Sequence, residues 1–340
     1  MLQAIKKYDS MKTVIEKCNT KVLEVLESSN VREAKIAAES FKNGGKRLRP
    51  ALMILSSLAP TGGPIATVKP QLIDLAAAVE LVHLATLFHD DVIDEVETRR
   101  MQRSARAKYG NHASVLAGDF VLAEALLLVQ RSELKHTLPE FLRTIRVLIQ
   151  GESRETAHKF DFDINEAAYF EIISEKSASL FSLSCKVGGL SYHSEYSDLL
   201  GHFGWNLGMA FQMIDDLDDM LDLPRGMMDC DLKNGYLALP VIRTLNQLGD
   251  GNRQSFVDII RTGDFTREKE KQIVLLCRDN GGFDRTTAEI HKHLDRARQT
   301  LDRFEADGEA KDLLNSVVVD LKSYADLQMD GFVEFSEAHS

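Results

Sequence analysis

The sequence predicts an all-α protein. Helical periodicity runs through most of the chain, strand-like alternation bounded by turn residues is essentially absent, and only seven prolines fall in 340 residues. The basic stretch at 43–50 ends on Pro50 and predicts a helix starting near Ala51. PTGGPIATVKP (60–70) gathers Pro60, Pro64 and Pro70 and reads as a loop between helices. After it, Leu72, Leu75, Ala76, Val79, Val82, His83, Thr86 and Leu87 recur at the three- and four-residue spacing of one buried helix face. The same pattern predicts helices around Val115–Leu128, Phe141–Ile149, Tyr169–Val187, Phe203–Leu221 and Phe256–Cys277. DLPRGMMDCDLKNGYLALP (222–240) reads as a second long connection, and IHKHLDRARQTLDRF and KDLLNSVVVDLKSYADL continue the helical pattern to the C-terminal end. No repeat, low-complexity tract or linker divides the chain. Residues 1–340 are expected to form one domain, long enough for a sizeable core.

Composition excludes several classes. Forty-one basic against 52 acidic residues give a net charge of −11, which argues against a general nucleic-acid binder. Cys18, Cys185, Cys230 and Cys277 are scattered, without CxxC pairs or histidines at zinc spacing, and read as reduced structural cysteines of a cytoplasmic protein. The N-terminal residues lack the apolar core of a signal peptide. The longest apolar runs are expected to fall short of a membrane span.

Two aspartate triads carry most of the chemical information: Asp90-Asp91-x-x-Asp94 within LATLFHDDVIDE, and Asp215-Asp216-x-x-Asp219 within MAFQMIDDLDDM. Residues three and four apart share a helix face, so each triad is expected to project its carboxylates from one side. Asp90 and Asp94 would stand about 6 Å apart along the axis. Like charges so close repel unless something positive lies between them. Both triads interrupt apolar runs, where an unpaired carboxylate is costly. A hard divalent cation resolves the conflict: Mg²⁺ takes oxygen ligands and typically combines one or two carboxylates with waters and substrate phosphates. Two such faces across a cavity would make a magnesium–diphosphate site.

Basic residues supply the complementary charge. Asn43-Gly44-Gly45-Lys46-Arg47-Leu48-Arg49-Pro50 joins exposed glycine amides to three cations suited to phosphate oxygens. Thr98-Arg99-Arg100 is expected one further turn beyond the first triad. His83 lies about two turns before Asp90 and should point to the same face.

With these motifs in view, the chain resembles the all-trans isoprenyl (polyprenyl) diphosphate synthases, and most closely the medium- and long-chain members. The resemblance rests on GGKRLRP (44–50), ELVHLATLFHDDVIDEVETRR (80–100), GNHASVLAGDF (110–120), EKSASLF (175–181) and GMAFQMIDDLDD (208–219), in the order the family shows them. It implies the isoprenoid synthase type of all-α bundle, with a central cavity between helices. It also implies condensation of isopentenyl diphosphate with an allylic diphosphate by ionisation, condensation and elimination. Residue by residue, Lys46, Arg49, His83 and Arg100 match the isopentenyl diphosphate pocket. Arg99, Lys176 and Gln212 match the catalytic and allylic diphosphate positions, with Lys233 a shifted substitute for a missing lysine. Asp90, Asp91, Asp94, Asp215, Asp216 and Asp219 match the ligands of a trinuclear Mg²⁺ cluster, with Mn²⁺ an acceptable substitute, and Asp219 acting through water. Ala85 and Thr86 match the positions that set product length. Both are small, which points to hexaprenyl or longer products. The resemblance further implies a homodimer without a membrane-spanning segment, with peripheral membrane contact for product release.

The sequence departs from the family where Met227 and Tyr236 stand in place of usual lysines, where Met101 replaces a glycine, and at Glu155, in place of a glutamine usual near Glu152. These losses of cations keep a non-catalytic or regulatory subunit of a heteromeric synthase in view, and Val79, Val82 and the bulky residues of Val121–Leu128, deeper in the tunnel, keep a shorter-chain farnesyl or geranylgeranyl synthase in view. A terpene cyclase or head-to-head prenyltransferase is disfavoured by GGKRLRP together with the second DDxxD.

Overall fold

Residues 9–100, 102–222, 231–263 and 265–337 are described by a computed structural model, and helices form nearly every element among them. The first four are α1 (Asp9–Glu27), α2 (Arg32–Lys42), α3 (Leu48–Leu58) and α4 (Pro70–Ile93). A minimal hairpin, β1 (Thr98–Arg99) with β2 (Gln102–Arg103), pairs Thr98 with Arg103. Then come α5 (Ala105–Tyr109), α6 (Asn111–Arg131), α7 (Leu138–Ala157), α8 (Glu166–Ile173), α9 (Ser179–Tyr192) and α10 (Ser197–Asp222). The chain continues through α11 (Leu239–Leu245), α12 (Asp250–Arg261), α13 (Arg267–Asp279), α14 (Gly282–Leu301) and α15 (Glu309–Glu337). The all-α expectation holds.

Helix α4 runs through the interior. It carries apolar residues all round rather than on one stripe, as a helix surrounded by others must, and Leu72 through Val82 are almost wholly buried. It packs on α1, α3 and α6, while α9 packs on α3 and α10, and α10 on α14. The cavity of interest opens between these layers.

Several local expectations are revised. The helix after Pro60–Pro70 starts at Pro70 itself, whose missing N–H suits a first turn. The basic motif enters its helix at Leu48, with Pro50 already in the first turn. The arginine pair does not lie on a further helical turn: Glu95 and Arg100 take φ of 54°, which a right-handed helix cannot accommodate, and Arg99 sits on β1 instead. Tyr169–Val187 is continuous, but its middle, Ser174–Ala178, widens into a π turn. Phe256–Cys277 is two helices, broken where Gly263 turns left-handed and Thr266 caps α13.

Two helices, Pro70–Ile93 and Asn111–Arg131, are long and apolar enough to cross a membrane by length and composition, which corrects the expectation of short apolar runs. Polar residues such as Glu80, His83 and Asp119 hide this length from a count of uninterrupted apolar residues. Within the fold, 72% of the first helix's apolar window is buried and 39% of the second's. Met101, Met227 and Cys230 lie outside the described residues.

Candidate active site

A cavity of about 1350 Å³ lies between α3, α4, α6, α7, α9 and α10. One end is strongly charged: Lys46, Arg47, Arg49, Arg99, Arg100 and Lys176 face Asp90 and Asp215. The rest is apolar, bounded by Val82, Ala85, Leu122, Ile145, Leu148 and Leu180. Lys46, Arg49, His83, Ala85, Thr86, Asp90, Arg99, Arg100, Lys176, Gln212 and Asp215, dispersed over 170 residues of sequence, thus line one space.

The basic wall is built by an unusual entry into α3. Arg47, the N-cap residue, takes φ of 51° and turns inward, where its guanidinium lies 2.8 Å from Glu80 of α4 and 3.8 Å from the Phe41 ring centroid. Its neighbours Lys46 and Arg49 are thereby left on the cavity side. Arg49 lies 4.7 Å over the Phe181 ring and Lys46 5.5 Å over Phe211, so aromatic faces support both cations from below. Burial pushes Arg49 down to about 10, against the pull of Glu80 and Asp215. Burial, reinforced by Arg49, Arg100, Arg99 and Arg47, pushes His83 well below the usual imidazole range. A neutral His83 can donate one hydrogen bond to a phosphate oxygen. Arg100 reaches the Gly44 carbonyl and ties the hairpin to this loop.

Lys176 sits on the π turn, and such turns recur at functional sites. Gly151 of α7 permits the approach: a Cβ there would come within 2.6 Å of the Lys176 backbone nitrogen. Two carboxylates of α7 meet the ammonium, Glu155 in direct contact and Glu152 at 3.2 Å. Burial opposes the charge of Lys176, but Glu155, Glu152 and Asp90 outweigh it and hold the ammonium well above its usual range.

The triads do not project their carboxylates from one side each. Successive helical residues are about 100° apart around the axis. Asp90 therefore faces the cavity while Asp91 turns away, buried, and accepts a hydrogen bond of 2.5 Å from Arg99 Nε. Asp94 caps α4 and accepts from the Tyr236 hydroxyl at 2.7 Å. In the second triad Asp215 lines the main cavity. Asp216 and Asp219 line a small adjoining recess shared with Glu155, Lys176, Gln212 and Asp231. Asp216 is held by Tyr169 (2.6 Å) and Gln212 (2.9 Å), and Asp219 by the Asp231 backbone N–H (2.9 Å). Lys233 is a further correction. Its ammonium lies 2.7 Å from the buried Glu270, which pairs with it, and it lines neither space.

Burial raises Asp90 to about 8, Asp216 to about 7 and Asp215 to about 6, with Glu155 at about 7 and Asp231 at about 6 for the same reason. Glu152 Oε1 is buried without a hydrogen-bond partner. So many desolvated carboxylate oxygens call for positive charge, and oxygen donors suit a hard dication. Among the described residues no three acidic, histidine or cysteine side chains converge as a preformed cage. A cation held here would complete its shell with phosphate oxygens and water, the usual habit of Mg²⁺. The residues present fit such an ion.

Sequence reasoning missed the Arg47–Glu80 anchor, the clasp of Glu152 on Lys176, and Tyr169. Glu152 and Glu155 share a helix face by their spacing, which was the available signal. Tyr169 carried none.

Comparison with known proteins bears on this site. The polyprenyl synthetase family model matches residues 32–276. The chain is 34% identical over 218 residues to a nonaprenyl diphosphate synthase of Mycobacterium tuberculosis, covering 62% of each protein. It is 33% identical over 234 residues to an octaprenyl diphosphate synthase of Escherichia coli, covering 67% of this chain and 71% of that one. In structure it superposes on a decaprenyl diphosphate synthase from Rhodobacter capsulatus with a TM-score of 0.83 at 27% identity, covering 93% of this chain and 97% of that one.

Proposed function

The chain belongs to the polyprenyl synthetase family, and from that premise we propose that it is a trans-prenyltransferase joining isopentenyl diphosphate to an allylic diphosphate. The observation that carries this reading is the placement of Asp90 and Asp215 on facing helices, with Lys46 and Arg49 beside them and an apolar space beyond. That is the charge distribution the reaction needs. The allylic C–O bond breaks to leave an allylic cation and a diphosphate anion, so the rate depends on stabilising negative charge as it develops on the leaving group.

Bound Mg²⁺ would supply Lewis-acid stabilisation of that diphosphate, held by Asp90, Asp94, Asp215 and Asp219, and Mn²⁺ would serve similarly. Arg99, Lys176 and Gln212 bind the allylic diphosphate and orient its departing oxygen. Lys46, Arg49, His83 and Arg100 hold the second diphosphate, so that the isopentenyl double bond meets the cation as a positioned nucleophile. Val82, Leu148 and Leu180 exclude water that would quench it. The proton lost in the last step goes to the departing diphosphate, and no side chain is assigned that role. Asp91, paired with Arg99, acts by placing that guanidinium rather than as a metal ligand.

Ala85 and Thr86 leave the wall beneath Asp90 open, which supports products of hexaprenyl length or longer. Leu116, Leu127 and Leu142 are exposed on α6 and α7, and they support a homodimer assembled on these helices. We place the activity in one domain spanning 1–340 and in the cytoplasm, with peripheral membrane contact on product release.

The decisive experiment is incorporation of labelled isopentenyl diphosphate with dimethylallyl, geranyl, farnesyl and geranylgeranyl primers, with Mg²⁺ and with chelator, followed by product chromatography. Metal-dependent elongation is expected. Folded protein that elongates no primer would instead favour a non-catalytic subunit, and products stopping at fifteen or twenty carbons would favour a shorter-chain synthase.

A further inference from the structure

Residues 231–236 form a tight turn in which the Gly235 and Tyr236 backbone N–H groups donate to the carbonyls of Leu232 (3.1 Å) and Asp231 (3.0 Å). Each end of this turn holds the last carboxylate of a different triad. At its start the Asp231 N–H donates to Asp219 Oδ2 at 2.9 Å, and at its end the Tyr236 hydroxyl donates to Asp94 Oδ1 at 2.7 Å. Asp94 caps α4 and Asp219 lies on α10, and the turn links them.

The turn is itself anchored from outside the cavity. The Phe160 N–H donates to the Gly235 carbonyl at 2.8 Å. Gly235 takes φ of +92°, and a Cβ there would lie 2.6 Å from the Phe160 ring, so only glycine fits both the backbone and the contact. The Lys159 ammonium sits 5.1 Å from the Tyr236 ring centroid. The tyrosine is thus fixed at its backbone, its ring and its hydroxyl.

We infer that the 231–236 turn is a spacer that sets the separation of the two acidic walls, and that Tyr236 is a positioning residue for Asp94. The inference rests on the metal-dependent function proposed above. A phenol donates a hydrogen bond without bringing positive charge. It orients the carboxylate and occupies one lone pair, and leaves the negative charge to a cation. A lysine at the same place would neutralise Asp94 and compete with the ion. Partners of this kind around ligating carboxylates commonly govern metal affinity.

The test is Mn²⁺ binding to the full-length protein with inorganic diphosphate present, followed by the paramagnetic resonance of free Mn²⁺. Tyr236→Phe should raise the Mn²⁺ dissociation constant about tenfold without moving the melting temperature of the metal-free protein. Phe160→Ala, which removes no polar group from the site, should weaken binding in the same direction by loosening the turn. Wild-type affinity in Tyr236→Phe would overturn the positioning role, and wild-type affinity in Phe160→Ala would overturn the spacer. A wild-type protein that binds no Mn²⁺ with diphosphate would instead overturn the metal site of the proposed function, and this inference with it.

Discussion

Arg47 and Glu80 form a buried ion pair, with Nη1 2.8 Å from Oε1 and the side chains only 11% and 7% exposed. Arg47 also donates to Asn19 Oδ1 (2.8 Å) and to the carbonyls of Phe41 (3.0 Å) and Gly44 (3.3 Å). The middle cation of the basic motif lines the cavity as its neighbours do, but its charge is matched by Glu80.

Removing one member of such a pair leaves a buried charge uncompensated. Glu80→Ala should lower stability by about 3–5 kcal/mol, read from urea or thermal unfolding. Double replacement of Arg47 and Glu80 by apolar residues should be less damaging than Glu80→Ala alone. Equal losses would show that the ion pair is not the anchor.

Asp90→Ala and Asp215→Ala remove the triad carboxylates that line the main cavity. Each should lower turnover by orders of magnitude while far-UV circular dichroism stays unchanged. Asp91→Asn should cost less, since it weakens only the placement of Arg99. Near-normal turnover in either alanine variant would sink the assignment of the acidic walls.

Ala85 lines the cavity but is only 1% exposed, so a larger side chain there has nowhere to go except into the space beneath Asp90. Ala85→Phe should shorten the product, as measured by chromatography of the elongation ladder. An unchanged ladder would place the limit deeper, near Val82, Leu122 and Ile145.

The buried acids make the metal-free protein sensitive to alkali. Asp90, Asp216 and Glu155, raised to about 8, 7 and 7, hold protons in the folded state that the unfolded chain has already lost. More protons bound when folded means stability falls as pH rises. Between about pH 6.5 and 8.5 the melting temperature should decline. His83, neutral when folded, adds no loss in this window because its cost appears only at acid pH. Mg²⁺ with inorganic diphosphate should flatten the decline. A melting temperature that rises with pH in the metal-free protein would contradict the crowding of these carboxylates.

The legible part of the site was the part written in local spacing. Asp90, Asp215, Lys46, Arg49 and Lys176 stand out as charges inside apolar or glycine-rich stretches, and all five line the cavity. The expectation that Asp91 shares the face of Asp90 failed because membership of a motif does not fix direction: one residue's rotation about the helix carries it into Arg99. Lys233 was misread because proximity in sequence to the second triad says nothing of Glu270, which captures it.

The sequence by itself determined the helical class, the two acidic triads and the basic loop, because helical periodicity and charge placed against it are properties of neighbouring residues. Only the tertiary structure decided which carboxylates face the cavity, that Glu152 and Glu155 close on Lys176, and that Tyr236 reaches Asp94 across 142 residues. Those contacts depend on how helices are rotated and spaced against one another. That geometry is set by the packing of the whole core, and no local pattern encodes it.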